Sequence, residues 1–435
     1  RNMLQALLAG VSSIKAQQTR MNVIGNNLAN INTAAYKDTS VAFEDLVSQT
    51  LSSGSAPTSN RGGTNPIQVG LGVAIGSTSV DTSQGSFDAT NVPSDLAIQG
   101  NGYFAVSNGS NISYTRDGTF NVDASGNLVQ ASTGQRLLGW QADKTGKIDT
   151  TAQVTAGSFL TIPVGTATSV QATGSASLNG NLNASAAPTD TWSTQTTAFD
   201  SLGIAHNITV VFSNPQSPPP ALPAPPPGAT TSWDWNAYEG TAATGTPIGS
   251  SATAGNQPLF FNNTGAYCNV FGAGAADSIT VPASNGASAT PITLDFSAVS
   301  QLSEPSSVEI QANGFPPGEL QNYSIGNNGV ITGVFSNGMT RPLGQIALVG
   351  FANPAGLIQT SDNLSTGSVN SGLPAFSSPG TGAVGTISAG YLEQSNVDIG
   401  SEFTNLIVTQ RGFQANTKIV TTVDQMLQDL VNMKQ

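Results

Sequence analysis

The chain has 435 residues, enough for two to four domains at roughly 100–200 residues each. Charged residues make up 9% of it and the formal net charge is −12, so the surface is built from Ser, Thr, Asn and Gln, which excludes a helix-rich enzyme dressed in salt bridges. Residues 148–340 hold ten carboxylates and no Lys or Arg; this segment cannot neutralise phosphates, nucleic acid is excluded as its partner, and its fold must rest on apolar burial and hydrogen bonds.

The first stretch begins like a weak signal peptide, with Leu4, Leu7, Leu8 and Val11. Gln5 breaks the apolar run, no small-residue cleavage pattern follows, and the periodicity runs on. Leu7, Ile14, Met21 and Leu28 recur every seven residues, with Leu4, Val11, Ile24 and Ile31 beside them. That 3-4 spacing predicts a helix seam of about 29 residues, or roughly 43 Å. No stretch reaches the roughly 18–20 apolar residues of a membrane span. The Ser/Gly/Thr-rich run 48–63 reads as a linker or extended arm.

From Val69 onward short β-branched runs alternate with Gly and Asn turns. Tyr103–Val106 reads as a strand. Ser113–Arg116 and Thr119–Val122 flank Asp117-Gly118 and predict a hairpin, with Asp123–Asn127 as the next turn. His206–Phe212 and Ile346–Phe351 read as buried strands, and Ser217–Gly228 as a polyproline loop. Near the end Leu406, Phe413, Val420 and Leu427 again repeat at seven, flanked by Phe403, Ile407, Val423, Leu430 and Val431. Asp398 or Ser401 can cap this helix, with Glu402 facing the positive end of its dipole. Isolated amphipathic helices are marginal in water. The two seams are therefore expected to pair with each other or with other copies, and in a lone subunit to be unpaired and mobile.

Motifs for chemistry are weak. Gly380-Thr381-Gly382-Ala383-Val384-Gly385 matches GxGxxG, but it follows Ser378-Pro379 and reads as a loop before a strand. Asp117, Asp123 and Asn127 have turn spacing, not calcium-loop spacing. Glu304 and Glu309 could pair for glycoside chemistry, yet nothing places them in a cleft. His206, the single histidine, reads as a polar strand-end residue. Cys268, the single cysteine, permits no intrachain disulfide and reads as a small packed hydrophobe in the run Tyr267–Phe271. The proline run reads as a stiff surface loop. No catalytic, cofactor-binding or metal-ligating residues are assigned.

Other residues resemble a known family. Asn26-Asn27-Leu28-Ala29-Asn30-Ile31-Asn32-Thr33, followed by Tyr36-Lys37, resembles the N-terminal signature of bacterial flagellar rod and hook proteins, which usually have Gly where this chain has Ala35. Asp95–Phe104, Tyr114-Thr115-Arg116-Asp117-Gly118 and Leu137-Leu138-Gly139-Trp140 are similar to the family's first β-domain. Ser395-Asn396-Val397-Asp398, Gln410-Arg411, Gln414-Ala415-Asn416 and Asp424-Gln425-Met426-Leu427 are similar to its C-terminal helix. Ala198-Phe199-Asp200-Ser201-Leu202-Gly203 with His206, Phe335-Ser336-Asn337-Gly338, Leu343-Gly344-Gln345-Ile346 and Asn353-Pro354-Ala355-Gly356-Leu357 resemble the hook subunits within that family.

The resemblance implies a mainly β fold with long terminal α-helices, its β-domains nested between N- and C-terminal coiled-coil helices. Expected boundaries are 1–33 with 395–435 for the helical polymer core, 34–70 for the arm, 71–154 with 309–394 for the first β-domain, and 155–308 for an inserted outer β-domain. It implies a structural subunit, not an enzyme, that polymerises into a curved helical tube acting as a universal joint between rod and filament. The implied partners are other copies, the flagellar rod, hook cap and hook-filament junction proteins, and the flagellar type III export apparatus, which would export the chain without a cleaved signal. No cofactor, nucleic acid or membrane insertion is implied. The expected polymerisation seam is Leu7, Ile14, Met21, Leu28, Leu406, Phe413, Val420 and Leu427. The competing expectations are a distal rod protein and, from a different class, a secreted β-rich carbohydrate-binding protein or enzyme hinted at only by Trp192, Trp233 and Trp235.

Overall fold

A computed structural model describes residues 2–58, 61–143, 146–165, 168–219, 225–240, 245–253, 256–268 and 277–433, without the side chains of residues 2–4, 168 and 430. The expectations for residues 269–271, for the centre of the polyproline run (220–224), and for the side chains of Leu4 and Leu430 fall outside the described residues. The chain divides into two compact units, 1–162 with 324–332 and 342–435, and 163–323 with 333–341. The second unit starts and ends later than the 155–308 read from sequence.

The first unit carries both helices, α1 (Asn2–Ala29) and α2 (Ile399–Asn432). Asp398 caps α2, its Oδ1 accepting the Ser401 amide at 2.7 Å. After α1 the chain turns back through Ala35, which is buried with φ +58° and donates its amide to the Glu393 carbonyl at 2.8 Å. A left-handed backbone costs a residue with a Cβ about 1–2 kcal/mol. Ala35→Gly is therefore expected to raise stability by about 1 kcal/mol, part of the relief being lost to glycine's freer unfolded chain. A higher urea midpoint at unchanged slope is the expected reading.

α1 and α2 pair within the chain, contrary to the expectation of loose termini. Asn416 Nδ2 donates to Ser13 Oγ at 2.6 Å, Arg20 Nη2 to Asn405 Oδ1 at 3.4 Å, and Asn27 Nδ2 to Glu402 Oε2 at 3.2 Å. Gly10 leaves room for Val420, whose Cγ2 would lie 3.0 Å from a Cβ placed there, and Gly412 does the same for the Gln17 amide. The α1 residues facing α2 thus include Gly10, Ser13, Gln17, Arg20 and Asn27, spaced by three, four and seven, all small or polar. Val420, one of the apolar heptad positions, packs into this stripe at Gly10. Within the chain the contact face is therefore set by polar pairs together with Val420.

Four strands follow α1: β1 (Thr39–Asp45), β2 (Ser48–Ser52), β3 (Ile67–Gly70) and β4 (Val73–Val80). β1 pairs with β4 and β2 with β3, both antiparallel. The bridges Ser55–Thr64 and Thr58–Arg61 carry the β2–β3 ladder outward, so the described residues of the 48–63 run, read from sequence as a linker or extended arm, are paired in a hairpin. The Ser and Thr side chains of this run left no apolar alternation to announce a ladder. α1 lies against β4, with the Val73 amide donating to Ser12 Oγ at 3.3 Å.

In the β-body of this unit, Tyr103–Ser107 pairs with Ile112–Thr115, Arg136–Leu137 and Leu348–Gly350. Its core includes Ala105, Tyr114, Leu138, Trp140, Ala347 and Val349. The hairpin expected at Asp117-Gly118 does not form. Ile112–Thr115 pairs backward with Tyr103–Ser107, and Phe120–Val122 pairs forward with Leu128–Gln130 across the Asp123–Asn127 turn. A two-residue hairpin needs positive φ at its centre, and neither Asp117 nor Gly118 has it. Gly118 instead presses flat against the backbone of Leu96, whose amide it accepts at 3.0 Å.

The second unit packs two sheets on one core. One sheet runs Trp192–Phe199, Ala205–Gln216, Ala229–Glu239, Leu259–Asn262 and Tyr267–Cys268. The other runs Ser278–Val281, Thr290–Leu302, Ser175–Asn183 and Glu309–Ala312, with its central pair parallel. Phe212, Trp233, Trp235, Phe261 and Phe296 fill the space between them. This apolar filling is how a segment without Lys or Arg holds together. Cys268 is half-buried at the end of its sheet, not packed inside it.

Candidate assembly surface and its anchor

Several of the family-like residues, among them Asn27, Tyr36, Lys37, Arg116 and Asn396, meet at one place in the first unit. Glu393, at the end of the strand Tyr391–Glu393, has no exposed side-chain surface. Its Oε1 lies 2.6 Å from Lys37 Nζ and its Oε2 3.0 Å from Arg116 Nη1. Oε1 also accepts the Gly85 amide at 3.0 Å. Lys37 donates further to the Ser83 carbonyl, and Arg116 to the carbonyls of Gly102 and Gly100. Burial lowers the Lys37 pKa, opposed by the Glu393 carboxylate beside it.

One turn away, Asn27 is buried and joins four elements. Its amide nitrogen donates to Asp38, to the Thr39 carbonyl at 2.9 Å and to Glu402. Its oxygen accepts the Thr39 amide and the Tyr36 hydroxyl. Asn396 accepts the Asp38 amide at 2.7 Å and donates to the carbonyls of Asp81 and Ser83. Burial and the charges of Glu402 and Asp81 raise the Asp38 pKa. The Asn-Asn-Leu and Ser-Asn-Val-Asp signatures are therefore the two halves of a single anchor that fixes the roots of α1 and α2 on the β-body. Sequence reading missed Glu393 and gave Glu402 only a dipole role. Their one signal was that each is an acid among few, close to a recognised motif.

Beyond the anchor the helices present apolar surface. Of the eight expected seam residues, Leu7, Ile14, Met21, Leu28, Leu406, Phe413 and Val420 are half-buried and Leu427 is exposed. Phe403 is 48% exposed, Ile407 58% and Val431 67%, and Val408, Ile419 and Met426 add further exposed apolar positions. At 100° per residue these occupy most of the circumference of α2. A helix apolar on several sides is one that several neighbours bury. The hairpin β2–β3 likewise exposes Leu51, Ile67 and Val69, more than a two-stranded ribbon holds stably in water.

The other motifs take structural places. Gly380–Gly385 is a turn closed by the Gly380 amide on the Gly385 carbonyl, and a strand, Thr386–Ala389, follows it. The Asp123 carboxylate accepts the amides of Ser125 and Asn127. Glu304 and Glu309 are exposed. Trp233 and Trp235 are buried and cannot stack on sugars, and Trp192 is partly buried against the same core. Among the described residues no group of three or more His, Cys, Asp and Glu is placed to hold a metal, and no helix is long and apolar enough to cross a membrane.

Comparison with known proteins agrees with this architecture along its length. Residues 7–37 match the flagella basal body rod protein family, 97–177 the flagellar hook protein FlgE/F/G D1 domain, 166–315 the flagellar basal body protein FlaE D2 domain, and 388–433 the flagellar basal body rod FlgEFG protein C-terminal family. The chain is 36% identical to the flagellar hook protein FlgE of Borreliella burgdorferi, over 99% of this chain and all of that one. It is 34% identical to the Escherichia coli K12 hook protein FlgE over 99% and 100%. The chain belongs to the flagellar hook protein family. The Bacillus subtilis basal-body rod protein FlgG is 28% identical over the full length of both chains. The crystal structure of Helicobacter pylori FlgE2 shares the fold, with a TM-score of 0.51 at 16% identity over 71% of this chain and all of that one.

Proposed function

We propose that this hook-family subunit polymerises through its terminal helices into the curved tube that joins rod to filament and transmits torque while bending. The observation that carries this reading is the apolar surface of α2, exposed in the single chain on more faces than α1 can cover. The seam residues Leu7, Ile14, Met21, Leu28, Leu406, Phe413, Val420 and Leu427 would then complete their burial between helices of adjacent copies. The anchor around Glu393 and Asn27 would hold those helices in a fixed direction from the β-body, so that strain on the tube reaches the outer units.

The same reading assigns the chain a structural role without catalysis, outside the cell in the hook, after export in unfolded form by the flagellar type III apparatus. Its neighbours would be the rod, the hook cap and the hook-filament junction proteins. A surface poor in Lys and Arg suits subunits that slide past one another, since few ion pairs would need to break. The higher identity to hook proteins than to the rod protein favours the flexible joint over the stiff distal rod. Electron microscopy of the concentrated chain tests this: helical tubes are expected, with a yield that changes little between low and high salt. Monomers at every concentration, or tubes that dissolve steeply with salt, contradict it.

A further inference from the structure

His206 is the one histidine of the chain and the one side chain between 148 and 340 that can become a cation near neutral pH. It is buried on the strand Ala205–Gln216, and both ring nitrogens face carboxylates. Nδ1 lies 2.8 Å from Glu239 Oε1 and Nε2 3.4 Å from Asp200 Oδ2. Glu239 ends the adjacent strand Ala229–Glu239. Asp200 opens the turn before the histidine's own strand, and its Oδ1 accepts the amides of Leu202 at 2.8 Å and Ile204 at 2.9 Å. These two acids are the charged groups that face the ring.

A neutral imidazole has one N–H and one lone pair; the shorter contact is the one at Nδ1, which keeps the remaining proton toward Glu239, so Asp200 would meet the lone pair at Nε2. The imidazolium donates to both. We propose that His206 is a proton-operated clasp in the second unit, tying the Asp200 turn to the end of the Glu239 strand when charged and releasing the turn when neutral. Burial works against the charge, but the hydrogen bonds and charges of Glu239 and Asp200 outweigh it and hold the pKa above its ordinary value. Burial also pushes the Asp200 carboxyl up, and the Ile204 and Leu202 amides together with His206 bring it below its usual range. A histidine whose folded pKa is raised contributes stability that is full below the unfolded value of about 6.5. That contribution disappears as pH rises through the folded pKa. The turn is therefore closed in mild acid and loosens in alkali.

Nuclear magnetic resonance on the full chain labelled at histidine tests this cleanly, because one imidazole gives one set of signals. Whole-unit melting would not, since burial also pushes Asp277 up to about 6. The expected titration midpoint lies above about 6.5 and drops in both Glu239→Gln and Asp200→Asn, each unit of displacement being about tenfold in proton affinity. Amide exchange at Leu202 and Ile204, corrected for its intrinsic pH dependence, should speed up as pH passes the midpoint. His206→Gln should remove that dependence. A wild-type midpoint at or below about 6.5, or exchange at the turn indifferent to the midpoint, overturns the clasp.

Discussion

Glu393→Ala should lower the stability of the first unit by about 3–5 kcal/mol, the loss typical when one partner of a buried ion pair is removed. Glu393 is the one carboxylate touching both Lys37 and Arg116. Without it two cations face each other with side chains only 11% and 8% exposed. The Lys37 pKa, already lowered by burial, should fall further. The pairs span 356 and 277 residues of sequence, so the variant also loosens the roots of both helices. The second unit supplies an internal control. Three of the four tryptophans, Trp192, Trp233 and Trp235, lie in it, and Trp140 lies in the first. Chemical denaturation should show the Trp140 transition moving to lower denaturant while the others hold. A single unchanged transition would mean that the pair does not support the fold.

The second large effect is expected at the exposed helix surface. Burying an Ile side chain removes apolar area worth about 1.5–3 kcal/mol per site, and Ile407→Asp adds an unpaired charge that costs several kcal/mol more. In a polymer every subunit carries the penalty, so Ile407→Asp should abolish assembly and motility. In the single chain more than half of Ile407 is open to water, so the melting of the monomer should change little. Leu7→Asp is less selective, because Leu7 is already half-buried and the charge would be felt before assembly. Normal tubes from the Ile407 variant would show that this face is not an interface.

Much of the molecule was readable from its sequence where one pattern sufficed. Strict heptads marked both terminal helices, Asp398 marked the α2 cap, and a β-branched run marked the buried strand His206–Phe212, whereas the run Ile346–Phe351 divides at Ala347 between the strands Thr340–Ile346 and Leu348–Gly350. Reading failed where two groups distant in sequence had to be brought together. The Asp117-Gly118 pair carries hairpin chemistry, but close packing on Leu96 uses its glycine for something else. In the β2–β3 hairpin only Ile67 and Val69 alternate with a polar residue, and the facing strand Ser48–Ser52 offers Leu51 alone, too little to reveal a ladder. In the helix pair, Ser13–Asn416 and Asn27–Glu402 set the contact face, and no periodicity of apolar residues reports a polar seam. The candidate site was legible as family signatures. That those signatures converge on Glu393 required the fold.

The apolar surface of the terminal helices, open in the single chain, should close between copies in the tube. Oxidative footprinting of Phe403, Met426 and Met433 in dilute monomer and in assembled tubes tests it most directly, since all three are exposed in the single chain. Labelling should be strong in the monomer and fall by about tenfold or more in the tube, as expected for side chains moved from water into a packed core. Equal labelling in both states would contradict it.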